Sequence, residues 1–256
     1  MNRRRCLQVA LAVACVFASA ARAQSVSDHI AQGNRDRSTR DVASALKAFE
    51  AALAIDASNY DALVNAAECA VELGEFNANA EKRDSLFRSA EQYARRAVTA
   101  NPNGAEAHFE LAQALGRTAL AQGPRDRIKY AIDVRNHALA ALNIDPQHSG
   151  ALHVMGVWNA EVMRLNSFTR MLAKNFLGGK IFNEANWDKA QKYMERSVAA
   201  DSARIAHRLD LGAVYADRKM RDQAVAQFEW IAGAPITDFN DPHYKELAAR
   251  KLQALR

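Results

Sequence analysis

Cysteine is almost missing from this chain. The three that occur are Cys6, Cys15 and Cys69, and the first two fall in an N-terminal stretch with the marks of a removable export signal. With that stretch gone, Cys69 stands alone and an intramolecular disulfide framework is excluded. It lies in NAAECAVELG on a helical pattern, with no nucleophile motif around it, and reads as a small buried apolar residue rather than a catalytic thiol. Net charge is scarce too. The formal +5 includes Arg3, Arg4, Arg5 and Arg22, all in the leading segment, and the remainder carries about +1. A chain without a concentrated basic face gives no footing for nucleic acid.

The apolar run Cys6 to Ala20 is too short to span a bilayer comfortably. A positive Asn2-Arg3-Arg4-Arg5 precedes it and a small-x-small Ala21-Arg22-Ala23 follows, so residues 1–23 are expected to be a signal peptide cut after Ala23. An uncleaved anchor fits the two alanines less well. Lipoprotein processing at Cys15 lacks the leucine usual three residues earlier, where Ala12 stands. The arginines before Cys6-Leu7 faintly resemble a twin-arginine signal, but no cofactor motif follows, and general export is the default. The expected location is periplasmic or secreted, with no transmembrane span after cleavage. Residues 24–256 are long enough for one large domain or an extended array.

Strand patterning is lacking as well, so the chain reads as all α. What it has is repetition. Four segments, ALKAFEAALAIDASN, AEQYARRAVTANPNG, VRNHALAALNIDPQH and AQKYMERSVAADSAR, are amphipathic helices that stop at a short Asp/Asn turn. Small residues recur where helices must approach closely, as Ala45 with Ala52, Ala90 with Ala97 and Ala190 with Ser197, while Phe49, Met194 and Phe228 supply the bulk. Each preceding helix carries a small residue after an apolar one, at Ala67, Ala112, Gly156 and Gly212. This arrangement resembles the tetratricopeptide repeat. Residues 205–236 fit its 34-residue period through Leu211, Gly212, Tyr215, Ala224 and Phe228, and residues 26–59 fit it with Gly33. The middle turns near Ala57, Pro102, Pro146 and Ser202 are 45, 44 and 56 residues apart, so the middle repeats hold insertions. The longest covers residues 163–186. The expected architecture is a right-handed helical-hairpin solenoid of about five helix pairs, closed by a helix with Asp241 at its N-cap and Pro242 at its first position.

Catalytic motifs are wanting. NFLGGKIFNEANWDKA has a Gly-Lys step, but Lys174 stands where a phosphate loop needs its first glycine and Ile181 where it needs a hydroxyl. The preceding RLNSFTRMLAKNFL is helical, so Gly178-Gly179 is expected to stop that helix and Asn186 to cap the next. His108-Phe109-Glu110 lacks the second histidine of a zinc helix, and His148 and His153 are five residues apart, off one helical face. There is no Gly-x-Ser-x-Gly elbow and no calcium loop. The expectation is a protein that is not an enzyme, with no cofactor and no metal.

In this repeat class the first helix of each pair lines a concave groove. The candidates for that face are Asn34, Asn65, Glu68, Glu106, Glu110, Gln113, His153, Val157, Glu161, Asp210 and Asp217, joined by Trp158 beside the long insertion. Chaperone-docking tetratricopeptide domains clamp a carboxylate with cations; here Glu106 and Glu110 stand in their place, so the lining suits a basic or amide-rich peptide, or only solvent.

Residues 105–256 resemble the regulator of microtubule dynamics family, including its bacterial members. The resemblance rests on Gly156, Trp158, Glu161, Val162, Leu172, Ala173, Ala190, Leu211, Gly212 and Tyr215 in order. Where eukaryotic relatives have a proline pair after the glycine, this chain has Gly179-Lys180-Ile181. The resemblance implies a helical-repeat adaptor with a protein or peptide partner, and from the eukaryotic branch a possible lipid or membrane association. The cytoskeletal role in the family's name is one that an exported chain cannot perform. Trp158 and Glu161 are expected either to brace the insertion or to line a pocket under Leu165, Phe168, Leu172, Phe176 and Leu177. The alternative function is therefore an amphiphile carrier using the apolar segment Leu165 to Ile181.

Overall fold

The computed structural model describes residues 25–121, 124–165 and 179–256. Among the described residues all regular structure is helical. Helix α1 covers residues 25–38. It is followed by α2 (Val42–Ile55), α3 (Tyr60–Glu75), α4 (Ala80–Ala100), α5 (Ala105–Ala121), α6 (Pro124–Ile144) and α7 (Ser149–Arg164). A short 3₁₀ turn, Gly179–Glu184, leads to α8 (Trp187–Ala200), α9 (Ile205–Asp217), α10 (Arg221–Gly233) and α11 (Asp241–Leu255).

The shared turn has one local cause. Asp56, Asn101, Asp145 and Asp201 each follow the last residue of α2, α4, α6 and α8, and their backbone N–H groups bond the carbonyl four residues back at 2.8–3.0 Å. Each side chain then accepts from the backbone N–H two residues on: Ser58, Asn103, Gln147 and Ala203. A short polar side chain that bonds its own backbone two residues on turns the chain sharply. The next helix starts on a second side-chain cap in several pairs, as Asn59 on Ala62 N at 3.0 Å and His148 on Ala151 N at 3.2 Å. Asn186 caps α8 through Lys189 N at 2.8 Å. The expected stop at Gly178-Gly179 lies partly outside the described residues.

Successive helices then pack as antiparallel hairpins, and α3, α5, α7 and α9 also touch one another as an inner layer. The hairpin contact is a small residue under a large one. A Cβ placed on Gly33 would lie 2.6 Å from the Phe49 ring, one on Gly156 2.7 Å from Met194, and one on Gly212 2.5 Å from Phe228. Phe49, Met194 and Phe228 are fully buried as a result. In the second pair the same contact appears two turns along, Gly74 under Phe87, because α4 runs to 21 residues. The insertions in the second and third pairs have lengthened the helices, as α4 and α6 both show.

The C-terminal helix departs from expectation in two ways. Asn240, not Asp241, holds the N-cap position. Asp241 is the first helical residue, and its Oδ2 accepts instead from Thr237 N at 2.8 Å and Asp238 N at 2.7 Å, which tightens the approach loop. The segment also does more than close the end of the array, because it reaches back to the first pairs. Asn240 Nδ2 donates to the carbonyl of Glu72 at 3.0 Å, Tyr244 OH to Glu75 Oε2 at 2.7 Å, and Arg40 Nη1 to the carbonyl of Ile236 at 3.0 Å. No described helix is long and apolar enough to cross a membrane.

Alanine is a better helix former than glycine by about 1 kcal/mol, yet Gly212→Ala is expected to lower stability by roughly 1–2 kcal/mol through overpacking against Phe228. Urea unfolding measures this, and a stabilised variant would contradict the packing described.

Candidate functional site on the inner face

Asn65, Glu68 and Glu72 lie on one side of α3 at spacings of three and four, and Arg37 of α1 reaches across to all three. Its Nη1 donates to the Glu68 carboxylate and to Asn65 Oδ1 at 3.3 Å, and its Nη2 to Glu72 Oε1 at 3.2 Å. Burial works against the Arg37 charge, but the bond to Glu68 and the Glu72 carboxylate outweigh it and hold the guanidinium charged. Burial and then the neighbouring Glu68 push Glu72 up to about 7, with Arg37 opposing.

One turn deeper, on α5, Glu110 is completely buried and neither of its oxygens has a side-chain or backbone partner. Burial raises its pKa well above the usual carboxylate range, and Glu68, Glu106 and Glu72 add to the effect, so the carboxyl is held protonated. Glu106, four residues earlier on the same helix, is exposed at the rim and bonds His148 Nε2 at 2.9 Å. Residues one turn apart on α5 thus lie in two different environments, Glu106 near the start of the helix and open to solvent, Glu110 sealed among its neighbours.

The second half of the inner face is built around α7 and α9. His153 Nε2 lies 2.9 Å from Asp210 Oδ2, and the His153 ring stacks on His207 at 4.6 Å. Burial, then His153 and Arg204, depress His207 to about 2, so it is a neutral imidazole whose buried Nδ1 has no partner. Burial alone would raise Asp210, but His153, Arg117 and Arg164 keep it below the usual range. Arg117 pairs with Glu75 at 2.7 Å, and Arg164 with Glu161 at 2.7 Å and Asp217 at 2.6 Å.

Trp158 is 5% exposed; its indole N–H donates to the carbonyl of Ala131 at 2.8 Å and its ring stacks on Phe182 at 5.9 Å. Arg135 lies over the same ring and pairs with Glu184 at 2.5 Å. Trp158 therefore braces α7 against α6 and the 3₁₀ turn. The Glu161 carboxylate pairs with Arg164 one turn on, at the start of the insertion, since that guanidinium lies on the same helical side; the expected bonds to the rest of the insertion fall largely outside the described residues. Phe168, Leu172, Phe176 and Leu177 lie outside the described residues.

A cavity of about 270 Å³ opens between these elements. Val134, Val157, Trp158, Phe182 and Val214 form apolar walls, and Gln113, Arg117, His153, Glu161, Arg164 and Asp210 bring polar groups to it. Six of the twelve expected site residues, Gln113, His153, Val157, Trp158, Glu161 and Asp210, thus meet at one cavity. Asn65, Glu68 and Glu110 belong instead to the acidic cluster around Arg37, Glu106 sits at the rim, and Asn34 is exposed on α1. Sequence reasoning missed Arg37, Glu72, Arg117 and Tyr244. Arg37 follows Asn34 by three and Arg117 follows Gln113 by four, so extending the same helical stripe would have found them. Among the described residues no group of three or more His, Cys, Asp or Glu could hold a metal ion. Among the described residues that line the cavity there is no serine, threonine or cysteine to act as a nucleophile beside His153.

Hairpins stacked with a small residue under a large one, around an inner helical layer, make this a tetratricopeptide-like repeat protein. Two solved structures share that fold. A thermophilic TPR protein of Thermus thermophilus aligns with a TM-score of 0.64 at 18% identity, over 88% of this chain and 99% of that one. PilF of Pseudomonas aeruginosa aligns with a TM-score of 0.53 at 14% identity, over 92% and 93%. The sequence model of Regulator of microtubule dynamics protein 1-3 matches residues 23–256, and the chain belongs to that family. Regulator of microtubule dynamics protein 1 of Bos taurus is 24% identical over 177 residues, 69% of this chain and 54% of that protein. The human protein of the same name is 23% identical over 176 residues, 68% and 54%. The chain therefore spans about half the length of these relatives. The match begins well before residue 105, so the family extends through the N-terminal repeats as well.

A carboxyl whose folded pKa is raised contributes stability that is complete below its unfolded pKa and lost as pH rises through the folded one. For Glu72 that window runs from about 4.5 to about 7, and the raised Glu110 adds to the loss as pH rises above about 4.5. Glu110→Gln is therefore expected to be more stable than the wild type at pH 8, by about 1 kcal/mol or more, with the gap closing toward pH 4.5. Denaturant unfolding across that range measures it; a gap independent of pH would contradict a protonated Glu110.

Proposed function

We propose that this protein is a non-catalytic, exported adaptor that takes a segment of a protein partner on the inner face of its solenoid. A tetratricopeptide-like fold suggests a protein-interaction scaffold. The observation that carries the finer reading is the cavity at α5, α7 and α9. Its walls are apolar, its few polar groups converge from three helices, and those are the features of a preformed pocket for a side chain of a bound segment. The ion pairs around it are internally satisfied, so the recognition energy would come from apolar burial with Gln113 Oε1, which has no partner, fixing orientation.

Val157 lines this cavity and is half-buried. Val157→Arg is expected to leave folding intact by circular dichroism and to abolish recovery of the partner in a pull-down from envelope extract. Recovery of the same partner at the same yield would sink the cavity as the binding site.

The same walls favour a second reading, an amphiphile carrier, because Trp158, Phe182, Val134 and Val214 would equally surround an acyl chain. Export is the remaining part of the proposal and rests on residues 1–23. Native mass spectrometry of protein purified from a bacterial envelope reads both. The exported reading requires a chain beginning at Gln24, and an unprocessed mass contradicts it. The carrier reading requires an adduct of lipid mass, and a bare chain under gentle ionisation contradicts that.

A further inference from the structure

The first helix of every hairpin carries glycine, and all of these glycines but one are covered. A Cβ on Gly33 or Gly74 would lie 2.6 Å from the ring of Phe49 or Phe87, and one on Gly150 or Gly212 would lie 2.5 Å from that of Phe109 or Phe228. Gly156 lies under Met194. The exception is Gly116 in the interior of α5, where nothing described beyond its own helical turns comes within 4 Å of the place a Cβ would take. Glycine weakens a helix interior relative to alanine, and what it offers in exchange is close approach to the backbone. At Gly116 no described part of the chain makes use of that approach.

The open space is the cavity. Ala112, Gln113, Ala119 and Leu120, which flank Gly116 at three and four residues on either side, all line it, so the position of the missing Cβ faces into it. In the other hairpins the covering group comes from the second helix: Phe49 of α2, Phe87 of α4, Met194 of α8 and Phe228 of α10. Here the apolar groups that α6 brings to the cavity are Ala131 and Val134, and neither comes within 4 Å of the Cβ position. The third hairpin thus has the small residue without the large one. The space is about 270 Å³, and a cavity of about 150 Å³ is enough for benzene, so one ring and its methylene fit. Charges at the rim are matched inside the molecule, Arg117 with Glu75, Arg164 with Glu161 and Asp217, and His153 with Asp210, which leaves the space to a neutral apolar group. Leu120, at the rim, is 43% exposed, so apolar surface continues outward from the mouth.

We infer that the cavity takes one aromatic side chain of the protein partner, which packs on the bare backbone at Gly116 as Phe49 packs on Gly33. The partner supplies from outside the ring that the third hairpin lacks. This rests on the reading of the cavity as the partner's pocket and names the side chain that enters it.

Gly116→Ala distinguishes a ring pocket from a mere gap in the packing. Because the space is open, the variant is expected to fold and to raise the urea midpoint, the opposite of Gly212→Ala; a lowered midpoint overturns the proposal. N-acetylphenylalaninamide is the probe for the pocket and N-acetylleucinamide its aliphatic control, each followed through the NMR shifts of the amides of residues 116 and 157. The aromatic amide is expected to bind about threefold or more tightly than the control. Gly116→Ala is expected to weaken it about fivefold or more, since the added methyl stands where the ring packs. Absent binding, equal affinities for the two amides, or a Gly116→Ala protein that holds the ring as well as the wild type, each overturn the proposal. So does a wild type that binds the ring only once Phe168→Ala/Phe176→Ala is introduced, because the occupant is then the chain's own. If Val157→Arg abolishes partner capture while the aromatic amide shows no preference, the cavity reading stands and this inference falls. If the ring binds at Gly116 while capture survives Val157→Arg, the aromatic pocket stands and the adaptor reading at this site falls.

Discussion

The constraint on which the structure depends is the distance between the two helices of each hairpin. In four of the hairpins that distance is short because a side chain is missing from one helix where a large one presses from the other: Gly33 under Phe49, Gly74 under Phe87, Gly156 under Met194 and Gly212 under Phe228. Interiors pack at near-crystalline density, so each such contact fixes one relative position of its pair. Repeated along the chain, with the same Asx turn between pairs, it generates a constant rotation and hence a curved array. Curvature makes one side concave, and concavity buries what an isolated helix would expose.

The site follows from that curvature. Polar stripes that would be solvated on a straight helix face one another across the inside, and the inner face supplies a partner for most of its carboxylates: Arg37 for Glu68 and Glu72, Arg117 for Glu75, Arg164 for Glu161 and Asp217, His148 for Glu106 and His153 for Asp210. Glu110 is the exception, buried without a partner among like charges. Buried polar groups of this sort cost stability and fix a conformation. The first half of the inner face is thereby saturated by the chain itself, and open volume is found in the second half, where Trp158 and Phe182 form part of the cavity wall.

Much of this was legible because it is local. The Asx turn needs a side chain and a backbone N–H two residues apart, so Asp56, Asn101, Asp145 and Asp201 announced themselves by recurrence. Glycine against phenylalanine within one pair spans few residues and follows helical spacing. Membership of the inner layer was readable in the same way, and it brought Gln113, His153, Trp158, Glu161 and Asp210 to one cavity. Depth was not readable. Glu106 and Glu110 share a helical face, yet one is exposed and bonded to His148 and the other is sealed, since depth depends on curvature summed over several pairs. Nor could the meeting of Asn240 with Glu72 be foreseen across 168 residues, because no local pattern encodes where a solenoid returns to itself.

The central claim is that the protein works through the inner face of its second half. Photo-crosslinking in living cells tests it most directly, with benzoylphenylalanine placed either at Val157 in the cavity or at Lys192, exposed on the outer helix α8. The account predicts a discrete crosslinked partner from position 157 and none from position 192; a partner captured from 192 alone would contradict it.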